Sequence, residues 1–229
     1  MIPTLIIWLL RKYIKPPPTG ETVSKHVARV FQGIYRRLTL SILLSLLVFI
    51  ISAQEPLDYD ITYKGDNVGS MRMFQKKSGT SVFIKMVSSV QMRFIFSIKI
   101  LSEEESVFKD GKLVYSMIKR NVNGKENTNK LTKASGDIYQ TSSGGRRNTN
   151  KDILIDYNLH LLYIYEPVNI KKVYSDNFQQ FVPIQKIAAH QYKVPLPDGN
   201  YNYYSFENGI CSKVEVHTTL YSIQIKLKE

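Results

Sequence analysis

The side chains that could do chemistry are few in this chain, and their spacing builds none of the common catalytic motifs. His160, His190 and His217 show no HxxxH or HExxH spacing, which would put two ligands on one helix face, so no metal site and no cofactor are expected. There is no G-x-S-x-G elbow to present a serine nucleophile and no glycine-rich phosphate loop. Cys211 is the only cysteine; its setting, ICSKVEV, reads as a partly buried strand thiol without an assignable base or an intrachain disulfide partner. Glu103-Glu104-Glu105 reads as the charged end of a hairpin rather than an acid/base pair. Asp152 and Asp156 could share a helix face, but a helix N-terminus favours acids in any case. The polar residues singled out as ligand-binding candidates are Glu166 before Pro167, Ser175, Asp176 and Tyr203. For the first three the plainer alternative is a turn or cap hydrogen bond.

The elements that must position these residues are strands. Apolar residues recur with period 2, as expected when one sheet face is buried. Met92, Phe94, Phe96, Ile98 and Ile100 share one face of an expected strand, opposite Arg93, Ser97 and Lys99. Val82, Ile84 and Met86 alternate with Phe83, Lys85 and Val87. Near the C-terminus Ile210, Val214, Val216, Thr218 and Leu220 line up, after which parity switches to Ile223, Ile225 and Leu227, predicting a bulge or turn near Tyr221. Asp110-Gly111, Asn123-Gly124, Asp198-Gly199 and Asn208-Gly209 are hairpin turn pairs, and Gly65-Asp66-Asn67 and Ser78-Gly79 mark two more turns. Ile153, Tyr157, Leu161 and Tyr165 fall four apart and predict a short helix over 153–165, stopped at Glu166-Pro167. Thr141–Lys151 is expected to be an exposed loop in which Gly145→Val would be nearly silent. The fold class is therefore all-β: an antiparallel meander forming a curved sheet, half-barrel or barrel, with at most one short helix. The concave face is either packed shut by aromatics or left as an apolar cavity.

The N-terminal part reads as a targeting segment. Behind Arg36-Arg37 the run LTLSILLSLLVFIISA, residues 38–53, carries no charge, as a secretory signal would, with cleavage expected after Ala53. The alternative is an uncleaved membrane anchor, for which the run is slightly short of the about 20 apolar residues a spanning helix needs. Residues 1–37 form an extension of unusual length for a leader. Either translation begins at a non-AUG codon near Val23, Val27 or Val30, or the extension is genuine and lies on the inner membrane face. Residues 54–229 are then a single β-rich domain, exported to the periplasm or secreted, or tethered to the membrane by residues 38–53. The net charge of +12 divides evenly between the leader, where seven Lys or Arg face Glu21, and the remainder. A mildly basic, unstriped remainder suits a surface near anionic lipid or polysaccharide, and no nucleic-acid partner is expected.

Several segments carry a resemblance in their order along the chain. EPVNIKKVYSDNFQQF (Glu166–Phe181) is followed by HQYKVPLPDGNYNYYSFENGICSKVEV (His190–Val216). YDITYKGDNVGSMRM (Tyr59–Met73), FKDGKLVYS (Phe108–Ser116) and NVNGK (Asn121–Lys125) precede them. Together they resemble an exported β-rich family of unknown function common in the Bacteroidota, over about Leu57 to Leu227, and that family is similar to periplasmic half-barrel proteins of the cell envelope. The resemblance implies a fold and a compartment and brings no activity. Two functions stay open: a non-catalytic envelope protein holding a lipid or lipid-linked molecule in its curved sheet, or a hydrolase acting on envelope glycans or lipids with carboxylates gathered from distant strands. A purely structural or partner-binding domain is the plainer third. An apolar cavity would favour the first, facing carboxylates the second and a filled interior the third.

Overall fold

A computed structural model describes residues 55–93, 97–151 and 153–228. All of them belong to one compact unit, Ala53–Glu229. The expectations for the extension 1–37 and the run 38–53 lie outside the described residues.

Eight strands follow one another as a meander: β1 (Leu57–Tyr63), β2 (Asp66–Ser78), β3 (Ser81–Arg93), β4 (Ser97–Lys109), β5 (Lys112–Val122), β6 (Lys125–Ser135), β7 (Ile138–Ser143) and β8 (Arg146–Lys151). A crossing segment then holds a 3-10 turn at Leu161–Tyr163 and a separate hairpin, β9 (Lys172–Ser175) with β10 (Gln180–Pro183). The chain ends in a second meander: β11 (Gln185–Ala188), β12 (Gln191–Pro195), β13 (Tyr201–Glu207), β14 (Ile210–His217) and β15 (Ser222–Leu227). The last strand pairs antiparallel with the first, Tyr59 opposite Leu227, and joins both meanders into one thirteen-stranded sheet with β11 and β8 at its edges.

The hairpins form where turn chemistry demands them. Asp110-Gly111, Asn123-Gly124 and Asn208-Gly209 each place two residues at positive φ, as a type I′ turn requires. At the first turn the pair is Lys64-Gly65, with Asp66 and Asn67 already in β2, and at Asp198-Gly199 only the glycine has positive φ. Three other expectations are corrected. The alternating run Met92–Ile100 is not one strand: Met92 pairs with Ile98 and Arg93 with Ser97, so β3 ends and β4 begins within it, while Phe94 and Phe96 lie outside the described residues. The parity switch near Tyr221, by contrast, is the expected turn, between β14 and β15. Thr141–Lys151 is no loop, because Gly144-Gly145 turns the chain at φ 55° and 81° and pairs β7 with β8. Exposed Arg146, Arg147 and Lys151 then mark a charged edge strand that discourages further pairing.

The expected helix over 153–165 is the third correction. A spacing of four is also a multiple of two, so the same residues fit extended chain. Ile155 is buried, while Leu154 and Asp156 point to solvent. Backbone bonds go to the surrounding sheet and hairpin instead of along a helix: Leu113 N to Ile155 O at 2.8 Å, Tyr174 N to Tyr157 O at 2.8 Å and Leu159 N to Tyr174 O at 3.0 Å. Only the single 3-10 turn remains helical among the described residues.

This crossing segment sets the curvature. His160 bonds to Ser106 on β4, whereas Glu166, six residues on, bonds to Tyr192 on β12. Those strands stand seven places apart in the sheet. In a flat sheet that is about 34 Å, and six residues fully extended cover at most about 20 Å. The sheet therefore rolls around the segment. Tyr163 completes the inner packing edge-to-face against Tyr59 of β1 and Tyr204 of β13, with ring centres 5.6 and 6.3 Å apart. Buried side chains of the segment and of the inner sheet face form one core, in which Cys211 is fully buried and unpaired.

Candidate functional site

Inside the roll a set of ionisable side chains meets an apolar wall. On β4 the inward parity set by Ile100 and Phe108 carries Ser102, Glu104 and Ser106 to the concave side, between outward Glu103 and Glu105 that pair with Lys85. Arg120 comes from β5, Asn158 and His160 from the crossing segment, and Asp176 from the turn after β9. His160 Nε2 lies 2.9 Å from Glu104 Oε2, and its Nδ1 lies 2.5 Å from Ser106 Oγ and 3.9 Å from Asp176 Oδ2. Ser102 Oγ donates to Glu104 Oε1 at 2.9 Å, and Arg120 Nη2 approaches the same oxygen at 3.3 Å.

Asn158 locks the arrangement. Its Oδ1 accepts the backbone N–H of Leu161 at 3.1 Å, which fixes the amide orientation, so Nδ2 donates to Asp176 Oδ2 at 2.9 Å and to Ser106 Oγ at 2.8 Å. Asp176 is only 3% exposed. The Ser116 hydroxyl favours its charged form, yet Asp176 Oδ1 has no hydrogen bond of acceptable geometry.

The charges respond to one another. Burial alone would raise the Glu104 carboxyl, but the hydrogen bond and charge of His160, aided by Arg120 and Ser102, hold it at about 2. Burial would lower the His160 imidazole, and the carboxyls of Asp176 and Glu104 outweigh it and raise it. Burial raises Asp176, against the pull of His160. Two proton arrangements are self-consistent: a doubly protonated His160 between ionised Glu104 and Asp176, or a neutral His160 beside a protonated Asp176. With Arg120 facing Glu104, both leave the cluster without net charge.

Glu104, Arg120, His160, Ser175 and Asp176 form the polar end of a cavity of about 300 Å³. Its other walls are mainly apolar, with Met71, Met86 and Met92 from β2 and β3 together with Leu159, Ile118 and Ile225. Asn202, whose Oδ1 also lacks a hydrogen-bond partner, lines the same space. Ser106 does not reach it; fully buried behind the imidazole, it is a hydrogen-bonding support and not an accessible nucleophile. Glu104 and Asp176, on opposite sides of His160, are already hydrogen-bonded to protein partners. A broader depression of about 720 Å³ is lined by outward residues such as Phe74, Val87 and Leu101 and by the ion-paired Asp58 and Arg72.

The four residues singled out by sequence fall in three places. Ser175 and Asp176 line the cavity, and the Ser175 hydroxyl also accepts the N–H of Phe178 at 3.3 Å. Glu166 lies elsewhere and accepts bonds from Tyr192 at 2.8 Å and His190 at 2.9 Å, bracing the crossing segment against β12. Tyr203, on the other face of β13, stacks edge-on with Tyr201 and His217 and carries Lys193 over its ring. Sequence reading missed Glu104, Arg120, Asn158 and His160. Glu103–Glu105 sits in mid-strand rather than at a hairpin end, and its period-2 parity with Ile100 was the available pointer to Glu104. Among the described residues no group of His, Cys, Asp or Glu is arranged to hold a metal ion.

A fold of this kind has been seen before. The crystal structure of a β-barrel-like protein of a domain of unknown function, DUF1849, from Brucella abortus aligns with a TM-score of 0.51, over 76% of this chain and 95% of that chain. At 12% identity the likeness is one of fold alone. No curated protein matches the chain. The family model of a domain of unknown function, DUF6134, matches residues 59–228, and the chain belongs to that family.

Proposed function

We propose that the protein is a non-catalytic holder of an amphiphile, a lipid or lipid-linked molecule, working in the cell envelope after export. The observation that carries this reading is the cavity: an apolar space of about 300 Å³ ending in a preorganised polar cluster. That size stands at the small end of ligand pockets, about 300–1,000 Å³. The unbranched chains of Met71, Met86 and Met92 suit an apolar wall that adapts to varied shapes. The export part rests on the uncharged run behind Arg36-Arg37.

The hydrolase reading draws on one observation, the two carboxyls flanking His160. Glu104 argues against it: a carboxyl held at about 2 has no proton to give at neutral pH and is a weak base. Ser106, the hydroxyl on His160, is out of reach of a substrate in the cavity.

Titration calorimetry of the full chain with n-octanol tests the reading. Saturable binding with a negative heat-capacity change is expected. Val90→Trp, which drives an indole into the cavity from β3, should abolish it while the melting transition persists. No saturable binding to the wild type, or undiminished binding to the variant, overturns the reading.

A further inference from the structure

We propose that the amphiphile carries an uncharged, hydroxylated head seated against Asp176 at the polar end of the cavity; this rests on the binding reading above. Asp176 Oδ1 is a deeply buried oxygen without a well-formed hydrogen bond, on a residue that lines the cavity and has the Ser116 hydroxyl nearby. Its neighbour Oδ2 is occupied by Asn158, whose amide cannot rotate away without abandoning the Leu161 N–H. Buried polar atoms are nearly always satisfied, so an acceptor left without a well-formed bond on a cavity-lining residue is the place for a donor on the ligand. Asn202, another residue lining the cavity, carries a second acceptor without a partner in its Oδ1.

Charge decides which donor. The cluster of Glu104, Arg120, His160 and Asp176 is neutral in either proton arrangement described above. An ammonium or a carboxylate head would bury an unbalanced charge, which a dry site penalises heavily. A hydroxyl also suits both arrangements, because it donates to an ionised Asp176 and accepts from a protonated one. An ammonium only donates, and a carboxylate only accepts. The ligand class is thus an alcohol or a sugar-type hydroxyl on an alkyl or acyl body that packs against Met71, Met86 and Met92.

The test is a head-group series on one alkyl chain: n-octanol, n-octylammonium and octanoate, titrated into the full chain at neutral pH. n-Octanol should bind at least about tenfold tighter than either ion. In Asp176→Leu n-octanol should bind about tenfold more weakly than to the wild type, and undiminished binding there overturns the assignment of the head. If Asp176→Leu does not fold, the wild-type series decides alone. Equal binding of the three probes, or tighter binding of either ion, overturns the assignment of the head and leaves the binding reading intact. Failure of all three to bind overturns both.

Discussion

Glu104 is a half-buried carboxylate in a mostly apolar interior, and its partners decide whether it helps or harms the fold. His160, Arg120 and Ser102 reach it within 3.3 Å, and they more than offset the cost of burial. The consequence is a pH dependence with a definite sign. Its native value, about 2, lies below the ordinary 4.5, so the folded state binds fewer protons than the unfolded chain between those values. The stabilisation by Glu104 is then complete above about 4.5 and is lost as pH falls toward 2, with an upper size of roughly 3 kcal/mol. Asp176 works the other way, since its raised value favours the folded state on the acid side. His160, also raised, contributes stability below its ordinary 6.5 that is lost as pH climbs through its native value. The contribution of Glu104 is isolated by comparing urea midpoints of wild type and Glu104→Gln across the acid range. The gap between them should be widest above about 4.5 and close toward 2. A gap that stays constant across that window would show that the native ion pairs do not hold the charge.

Strands and turns were largely legible in the sequence, and the polar site largely was not, for one physical reason. A hairpin is local: Asn123-Gly124 and Asn208-Gly209 determine their own backbone, and each turn fixes the register of two neighbours. The site is assembled from β4, β5, the crossing segment and the end of β9, with Glu104 and His160 56 positions apart, and no local rule links them. Only the parity of Ile100, Ser102, Glu104, Ser106 and Phe108 carried the information that a glutamate faces inward. The expected helix over 153–165 failed because the surrounding sheet and hairpin supplied the backbone partners a helix would have supplied for itself. One glycine is demanded by an element rather than by a turn. The register between β1 and β2 slips at Ile61/Thr62, leaving Val68 as an extra residue, and next to it Gly69 lies against β3. A Cβ at Gly69 would come within 2.1 Å of the Ser89 carbonyl oxygen and 2.9 Å of the Val90 Cα, both backbone atoms that cannot rotate aside. Gly69→Ala should therefore cost roughly 1–3 kcal/mol by forcing β2 and β3 apart. The strain at Gly145 is of another kind: its φ of 81° makes Gly145→Val costly and not silent, but only at the exposed edge hairpin. A melting temperature for Gly69→Ala equal to that of the wild type would mean that the two strands are not so closely apposed.

Closure of the whole β-rich unit depends on its last strand. The sheet order places β15 between β14 and β1, so Ser222–Leu227 alone joins the two meanders through the ladder. Its partners are far apart in sequence, with Ile225 opposite both Ile61 and Val214. Pairings of such long range form late and slowly, since a large loop must close before they contribute. Cys211 reports on this seam. It is fully buried on β14, its backbone carbonyl accepts the Tyr59 hydroxyl of β1 at 3.0 Å, and burial pushes its thiol up to about 12. A thiol so placed is neither exposed nor ionised in the native state, so alkylation should wait for the sheet to open. Reducing agent should leave the melting temperature unchanged, because no disulfide exists to break. Ending the chain after Tyr221 removes β15, exposes unpaired edges on β14 and β1 and uncovers the inner wall that Ile223 and Ile225 supply to the cavity. The truncated chain should label rapidly at Cys211 with iodoacetamide and lose n-octanol binding, while the intact chain labels only at its unfolding rate. If the truncated chain keeps Cys211 protected, then Tyr59, Tyr163 and Tyr204 hold the roll closed without β15, and the core rather than the ladder is what joins the two meanders.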